Sequence, residues 1–215
     1  MTQPEITIID YGVGNILSVQ RALEECGAHV IVSSDPDYIL ASKKVVLPGV
    51  GAFPNAMEAL IQLKLVPTIQ QYAESGRPLL AICLGMQLLM DESEEFGITS
   101  GLSLIPGRVI VIPSETAEGS HLKIPHIGWS ALHTSGTRSD WSGTLLENNH
   151  EGGAAYFVHS YMVQPAYQVN CIAEVVYGGN KIPAVISNKN ITGCQFHPEK
   201  SGEFGLEILR KFVSQ

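Results

Sequence analysis

The sequence predicts an α/β fold in which a central, mostly parallel sheet is flanked by helices and an additional antiparallel β portion lies in the second half. Through the first ninety residues, short apolar runs alternate with segments of helical period, which is the pattern of a parallel sheet covered by helices. Beyond about residue 100, strand-like segments follow one another across polar turns. A chain of 215 residues is expected to form a single domain spanning 1–215.

The first half supplies four expected strands, at 6–9, 29–32, 45–47 and 79–82. Apolar residues at helical spacing predict helices at 15–26, 53–60 and 66–74. In the second half, strands are expected at 105–113, 155–159, 170–174, 184–187 and 192–195, with a last amphipathic helix at 203–213. The segment 114–153 is rich in Gly, Ser, Thr and His and is expected to form surface loops.

Composition excludes several classes of function. The chain carries 21 acidic against 13 basic residues, and the basic residues are scattered, so a nucleic-acid partner is not expected. The N-terminus lacks a signal peptide and no apolar run is long enough to cross a bilayer, which favours a soluble cytoplasmic protein with no membrane partner. The four cysteines show neither disulfide nor metal-ligand spacing, so no metal or cofactor is expected.

Cys83 lies in the uncharged stretch LLAICLGMQLLM (79–90), between a buried strand and an apparent helix start. A cysteine at such an elbow gains helix N–H groups and a favourable helix dipole, and Gly85 is required if the turn is tight. A cysteine in an apolar run is, however, more often a small core residue. This stretch alone therefore leaves both interpretations open.

Two other stretches end on the same rim of the sheet. His197 and Glu199 follow the strand at 192–195, and residues two apart in an extended segment project to one side, so the carboxylate can orient the imidazole. The stretch from Gly49 to Gly51 follows the strand at 45–47, and its backbone can offer an N–H to an oxyanion. Separately, these would be a solvated turn and an ordinary glycine turn. Ligand sites of open α/β sheets lie at this rim, which favours one shared site.

Together these residues carry a resemblance to a known family. The stretches PGVG (48–51), AICLGMQ (81–87) and HPE (197–199) resemble the class I (triad) glutamine amidotransferases over essentially the whole chain. Within that family, the chain is similar to the glutaminase subunits of imidazole glycerol phosphate synthases through DYGVGN (10–15), LIPGRV (104–109), IPHIGW (124–129), YFVHSY (156–161) and FHPEKS (196–201). One position departs, because Ala81 stands where the family's elbow usually has glycine.

The resemblance implies a mechanism and a set of site residues. Cys83 would attack the side-chain amide of glutamine, His197 would carry the proton to the leaving ammonia, and Glu199 would orient His197. The implied oxyanion hole consists of the backbone N–H groups of Val50 and Leu84, with the Gly49–Val50 peptide reorienting before it donates. The implied substrate-binding residues are Gly49, Gly51, Gln87, Glu95, His159, Ser160 and Tyr161. The residues expected to face a partner are Asn15, Lys123, Trp129, Tyr156 and Lys200.

The resemblance also implies a heterodimer. The chain shows no phosphate-binding loop or second catalytic set, so the acceptor of the ammonia must lie on another polypeptide. By resemblance that partner is a (β/α)8-barrel cyclase subunit that makes imidazole glycerol phosphate and AICAR-phosphate in histidine biosynthesis. Three alternatives remain open: a paralogue whose barrel partner amidates a surface sugar, a non-catalytic regulatory binding subunit, and a stand-alone hydrolase of γ-glutamyl peptides.

Overall fold

A computed structural model describes residues 5–136 and 138–215. The first half of the chain alternates strands and helices. These elements are β1 (Glu5–Ile9), α1 (Ile16–Glu25), β2 (His29–Ser33), α2 (Pro36–Ala41), β3 (Lys44–Gly49), α3 (Phe53–Gln62), α4 (Leu65–Glu74), β4 (Leu79–Cys83) and α5 (Leu84–Leu88). The α/β pattern of the sequence is therefore confirmed.

Strands dominate the second half. They are β5 (Glu92–Ser93), β6 (Thr99–Ser100), β7 (Gly107–Val111), β8 (His126–Thr134), β9 (Ala154–His159), β10 (Tyr161–Pro165), β11 (Cys171–Tyr177), β12 (Asn180–Asn188) and β13 (Ile191–Cys194), followed by α6 (Gly202–Ser214). Short 3-10 helices lie at Gln168–Asn170 and Pro198–Lys200. The additional β portion expected in the second half is present.

Nine strands form the central sheet in the order β2-β1-β3-β4-β13-β12-β11-β8-β9. The first five are parallel neighbours, and the pairings from β13 onwards are antiparallel. In the parallel half, Gly49 is the register partner of Cys83, and Ile82 is the partner of Cys194. The carboxyl ends of β3, β4 and β13 therefore meet at one rim, as the sequence predicts. A smaller sheet has the order β10-β7-β5-β6.

Two apolar clusters pack against the parallel half. Alternate residues of β4 divide between them, because Leu80 and Ile82 belong to one cluster while Leu79 and Ala81 belong to the other. The first cluster includes the buried faces of α1 and α6, and the second includes those of α3 and α4. Each large aliphatic side chain buried in this way contributes about 1.5–3 kcal/mol of transfer free energy. The sheet rim is thus held by packing on both faces.

Four elements differ from the sequence-based expectation. The segment 114–153, expected to be surface loops, contains the nine-residue strand β8. Helix α2 and strand β10 were not expected, and the strand expected at 105–113 is confined to Gly107–Val111. No helix in the described part of the chain is long and apolar enough to span a membrane.

Candidate active site

The elbow at Cys83 joins β4 directly to α5. Cys83 has φ 56° and ψ −112°, a backbone conformation that residues with a side chain rarely adopt, so the backbone is locally strained at the elbow. A Cβ added to Gly85 would lie 2.0 Å from the Leu47 carbonyl oxygen, so only glycine fits beneath the turn. The requirement for glycine that the sequence indicates is confirmed. Ala81 is fully buried in the core, which accommodates its methyl group.

His197 and Glu199 form a buried pair beside this elbow. The Nδ1–H of His197 donates to Oε1 of Glu199 at 2.8 Å, and the side chains are 3% and 0% exposed. No described residue makes a well-aligned hydrogen bond with His197 Nε2, which is also buried. Burial lowers the pKa of His197, but the Cys83 sulfur and the Glu199 carboxylate outweigh this and raise it to about 9. The pair therefore favours an imidazolium with its second nitrogen available.

A cavity of about 290 Å³ opens in front of Cys83 and His197. Cys83 and His197 both line it, together with residues of the other expected stretches: Val50, Gly51, Leu84, Gln87, Glu95, Pro125, Val158, His159, Ser160 and Tyr161. Every residue expected in substrate binding or the oxyanion hole lines this cavity, with the exception of Gly49. Glu199 lies behind His197 and does not line it.

Gly49 lies beneath the cavity floor. A Cβ at this position would come within 2.7 Å of the Tyr11 hydroxyl and 2.9 Å of the Gly85 amide nitrogen. The Tyr11 hydroxyl donates to the Pro48 carbonyl at 2.8 Å, and burial raises the pKa of Tyr11 well above its usual range. Gly49 thus permits the close approach of Tyr11 and the elbow to β3.

Buried polar contacts hold the walls of the cavity. The Gln87 side-chain amide donates from Nε2 to the Tyr161 carbonyl at 3.1 Å and to Gln195 Oε1 at 3.0 Å. Glu95 accepts from the Phe53 backbone N–H through Oε2 at 2.8 Å. These contacts hold the Glu95 carboxylate and the Gln87 amide at the same cavity, where the amino-acid end of a substrate could bind.

The residues expected to face a partner are not part of the cavity. Trp129 and Tyr156 are register partners on β8 and β9, and their ring centroids are 6.1 Å apart in an edge-to-face arrangement. Trp129 is 58% exposed, so it is not a core residue. Lys123 and Lys200 are exposed, and Asn15 is half-buried just before α1.

The other cysteines do not share the properties of Cys83. All four cysteines are free, and Cys26, Cys171 and Cys194 do not line the cavity. Burial raises the pKa of Cys171 to about 11 and that of Cys194 to about 12, which makes both thiols inert at neutral pH. Cys83 is the cysteine that the fold brings to the rim.

Three residues at this site were not identified from the sequence. Tyr11 and His126 lie in the stretches DYGVGN (10–15) and IPHIGW (124–129), but their roles depend on contacts made only in the tertiary fold. Gln195 donates from Nε2 towards the Cys83 sulfur at 3.9 Å. Since Gln195 precedes His197 by two residues, the period of an extended segment could have placed both on one side.

A cysteine on a strand-to-helix elbow, opposed by a buried His-Glu pair on an open α/β sheet, defines the class of triad cysteine hydrolases and transferases. Comparison with known proteins narrows this class. The family model for glutamine amidotransferase class-I matches residues 7–215. The chain belongs to this family, and within it to the HisH subunits of imidazole glycerol phosphate synthase.

Curated relatives support that assignment. The chain is 47% identical over 208 residues to "Imidazole glycerol phosphate synthase subunit HisH 1" of Legionella pneumophila strain Lens, covering 97% of this chain and 98% of the relative. It is also 47% identical over 209 residues to subunit HisH of Methanosarcina mazei, covering 97% of each.

Solved structures support the fold. The structure of PurLQS from Thermotoga maritima matches with a TM-score of 0.71 and 18% identity, over 99% of each chain. The crystal structure of a glutamine amidotransferase from the same organism matches with a TM-score of 0.61 and 13% identity, over 93% of this chain and 77% of that one.

Proposed function

We propose that this chain is the glutaminase subunit of an imidazole glycerol phosphate synthase. Residues 1–215 act as one domain that hydrolyses glutamine to glutamate and ammonia and passes the ammonia to a (β/α)8-barrel cyclase subunit in histidine biosynthesis. The observation that carries this proposal is that Cys83, at a strained elbow, shares one cavity with His197, which Glu199 holds at 2.8 Å. Similarity along nearly the whole chain to HisH subunits supports the choice of pathway.

The first chemical step forms a thioester. The Cys83 thiolate attacks the side-chain amide carbon of glutamine, and the carbonyl oxygen takes the negative charge. Imidazolium at His197 then gives its Nε2 proton to the amide nitrogen, the C–N bond breaks, and ammonia leaves. A pKa of about 9 suits this order of events, because the proton that ammonia needs is already on His197 at neutral pH.

The second step releases glutamate. His197, now neutral, accepts a proton from water, and the resulting hydroxide attacks the thioester and expels the Cys83 sulfur. In both steps the oxyanion is stabilised by the N–H of Leu84, at the start of α5, and by the N–H of Val50 after its peptide reorients. A donor correctly placed at the oxyanion is commonly worth about 3 kcal/mol. Reorientation at Val50 gives the partner a means to control the rate.

The cavity walls suit an α-amino acid. The carboxylate of Glu95 can pair with the substrate ammonium, and the Gln87 amide lines the same cavity. His159, Ser160 and Tyr161 follow one another along the cavity and can offer backbone groups to the substrate carboxylate. We assign these five residues, together with Gly51, to glutamine recognition, and Gly49 to the close packing beneath them.

An exposed apolar surface beside the cavity suits the barrel partner. Ile127, Trp129 and Val158 lie on the paired strands β8 and β9 and are 57%, 58% and 37% exposed. Val158 also lines the cavity, so this surface is continuous with the site where ammonia forms. A partner seated here would keep ammonia from bulk water, where it would be protonated. We assign Asn15, Lys123, Trp129, Tyr156 and Lys200 to this interface.

The structure bears on the alternatives to this proposal. A non-catalytic subunit would be expected to lack part of the triad or its geometry, whereas here Cys83 and His197 line one cavity and Glu199 is hydrogen-bonded to His197. A stand-alone hydrolase of γ-glutamyl peptides would not require an exposed tryptophan beside its cavity. A partner that amidates a surface sugar would use the same glutaminase chemistry, and the HisH relatives favour the histidine pathway over it.

The proposal is tested by combining the purified chain with an imidazole glycerol phosphate-forming barrel cyclase. We expect the complex to release glutamate from glutamine, and the chain alone to do so far more slowly. Cys83→Ala should abolish product formation from glutamine while leaving product formation from added ammonium intact. Cys26→Ala is the matched control, since Cys26 lies outside the cavity. Glutamate release by Cys83→Ala, or rapid turnover by the isolated wild-type chain, would contradict the proposal.

A further inference from the structure

Gln195 is a fully buried amide between the candidate nucleophile and the cavity wall. It follows the last residue of β13 and is 0% exposed. Buried amides are almost always hydrogen-bonded at both ends, because an unpaired one carries a desolvation penalty. The partners of Gln195 are Gln87 and Cys83, which both line the cavity.

The orientation of this amide follows from its neighbours. The Tyr161 carbonyl can only accept, so the group of Gln87 that lies 3.1 Å from it is the amide NH₂. The same NH₂ lies 3.0 Å from Gln195, which must therefore present its oxygen there. The amide nitrogen of Gln195 is left to face the Cys83 sulfur, at 3.9 Å. A donor thus points at Sγ.

The same reasoning extends in the other direction from the Tyr161 carbonyl. The Tyr161 carbonyl oxygen also lies 2.8 Å from His159 Nδ1, so Nδ1 carries the hydrogen and Nε2 of His159 is an acceptor. His126 Nδ1 lies 3.1 Å from this Nε2 and is the donor, which leaves His126 Nε2 to accept from the Ser130 hydroxyl at 2.8 Å. Hydrogen bonds therefore run without a break from Ser130 on β8 to the cysteine sulfur.

We propose that Gln195 supports the triad by directing an amide N–H at the Cys83 sulfur, which stabilises the thiolate before attack. The proposal rests on the proposed function, since it takes Cys83 as the nucleophile. Gln87 and the Tyr161 carbonyl orient Gln195, and the neutral pair of His126 and His159 orients that carbonyl. The segment that lines the substrate cavity and the nucleophile are consequently held by one set of hydrogen bonds.

The position suits a thiolate better than a thiol. A thiolate accepts hydrogen bonds more strongly because it is charged, and a buried site does little to screen that charge. The titratable groups that act on Cys83 are His197 and Tyr11, with Glu199 behind His197. None of these offers an amide donor. Gln195 adds a fixed dipole that does not titrate, so its contribution persists across the working pH range.

Two substitutions distinguish the effect of the Gln195 amide N–H from the effect of side-chain packing. Gln195→Glu keeps the size of the side chain and an acceptor for Gln87, but it turns a carboxylate oxygen towards the sulfur. Gln195→Met keeps the volume and removes both polar contacts. The readout is the rate at which iodoacetamide alkylates Cys83 as a function of pH, followed by mass spectrometry of the Cys83 peptide so that partly exposed Cys26 does not interfere.

We expect the alkylation curve of both variants to move to higher pH, with a rate at pH 7 about tenfold lower for Gln195→Met and lower still for Gln195→Glu. Gln164→Met serves as the matched control, because Gln164 bonds Arg108 away from the cavity. Curves that coincide with wild type in two folded variants would overturn the proposal. Alkylation of Cys83 needs no glutamine turnover, so this experiment can contradict the role of Gln195 without contradicting the proposed function, which the Cys83→Ala assay tests separately.

A measurement on the unsubstituted protein covers the case in which neither variant folds. The side-chain amide resonance of Gln195, followed by NMR during a pH titration, should shift as the Cys83 sulfur ionises. The shift should vanish in Cys83→Ala. A Gln195 resonance that is unaffected by the state of Cys83 would overturn the proposal.

Discussion

His197 Nδ1 lies 2.8 Å from Glu199 Oε1, and both side chains are almost completely withdrawn from solvent. The pair is connected by a short 3-10 helix, Pro198–Lys200, that begins immediately after His197 and holds the two residues at a fixed separation. Because water does not screen this contact, the carboxylate acts strongly on the imidazole. The protonation state of His197 is therefore the property from which the pH behaviour of the site follows.

The pH dependence of glutamine hydrolysis should show this protonation state. Loss of the His197 proton above a pKa of about 9 removes the group that protonates the leaving ammonia, so kcat/KM of the complex should fall as pH rises through that value. The measurement is glutamate release at subsaturating glutamine across pH 6–10.5. An alkaline limb centred near the ordinary histidine pKa would contradict this assignment.

Replacing the Glu199 carboxylate should lower the pKa of His197 and so make its protonated form less stable. Glu199→Gln preserves the size of the side chain and removes the charge that helps to raise the pKa of His197. We expect kcat/KM to fall by roughly 100-fold and the alkaline limb to move to lower pH. Glu203→Gln is the matched control, because Glu203 pairs with Arg210 on the exposed side of α6. A loss of activity without movement of the limb would indicate that Glu199 acts only through packing.

The elbow should tolerate no side chain at Gly85. In Gly85→Ala the new methyl group would lie 2.0 Å from the Leu47 carbonyl oxygen, and backbone must move to relieve the contact. Overpacking of this kind costs about 1–3 kcal/mol, and the shift would also displace Cys83. Urea unfolding and glutaminase assays measure the two effects. Ala81→Gly, on β4 just before the elbow, should keep activity and lose about 1 kcal/mol. Equal behaviour of the two variants would contradict the steric explanation.

The sequence was sufficient to predict those parts of the fold and the site that leave a local pattern. The elbow at Cys83 and the pair of His197 and Glu199 follow from strand ends and from the two-residue period, and the parallel topology brings them to one rim. Strand β8 was missed because its exposed face carries Ile127 and Trp129, so polar and apolar residues do not alternate as they do over a core. Helix α2 had its signals, with Asp35 as N-cap and Pro36 at its start, but it is only six residues long.

The polar contacts behind the site could not be predicted in the same way. Gln195, Gln87 and Tyr161 meet because the end of β13, helix α5 and strand β10 are brought together in space, and hydrogen-bond partners 74 and 108 residues apart in sequence leave no periodic signal. Their consequences for stability can nevertheless be tested, because two members of the network are buried histidines.

Acid should destabilise the protein through His126 and His159. Burial lowers the pKa of each to about 4, and the hydrogen bond from His159 to the Tyr161 carbonyl only partly offsets the effect there. An unfolded chain protonates its histidines near pH 6.5. The unfolded state therefore binds more protons between these values, and the free energy of unfolding should fall as pH decreases from about 6.5 to 4, by up to roughly 3 kcal/mol per histidine.

The direction of the pKa shift distinguishes His126 and His159 from His197. Because the pKa of His197 is raised, protonated His197 stabilises the folded state fully below pH 6.5, and this stabilisation is lost as pH rises towards 9. His197 therefore adds no slope to the free energy of unfolding between pH 4 and 6.5. Urea unfolding between pH 4 and 7.5 measures the effect. His126→Phe, whose ring can stack between Phe157 and Tyr177, should be less stable at pH 7.5 yet show a shallower acid slope. His133→Phe, at a half-exposed position, should retain the wild-type slope. An unchanged slope in His126→Phe would contradict the assignment.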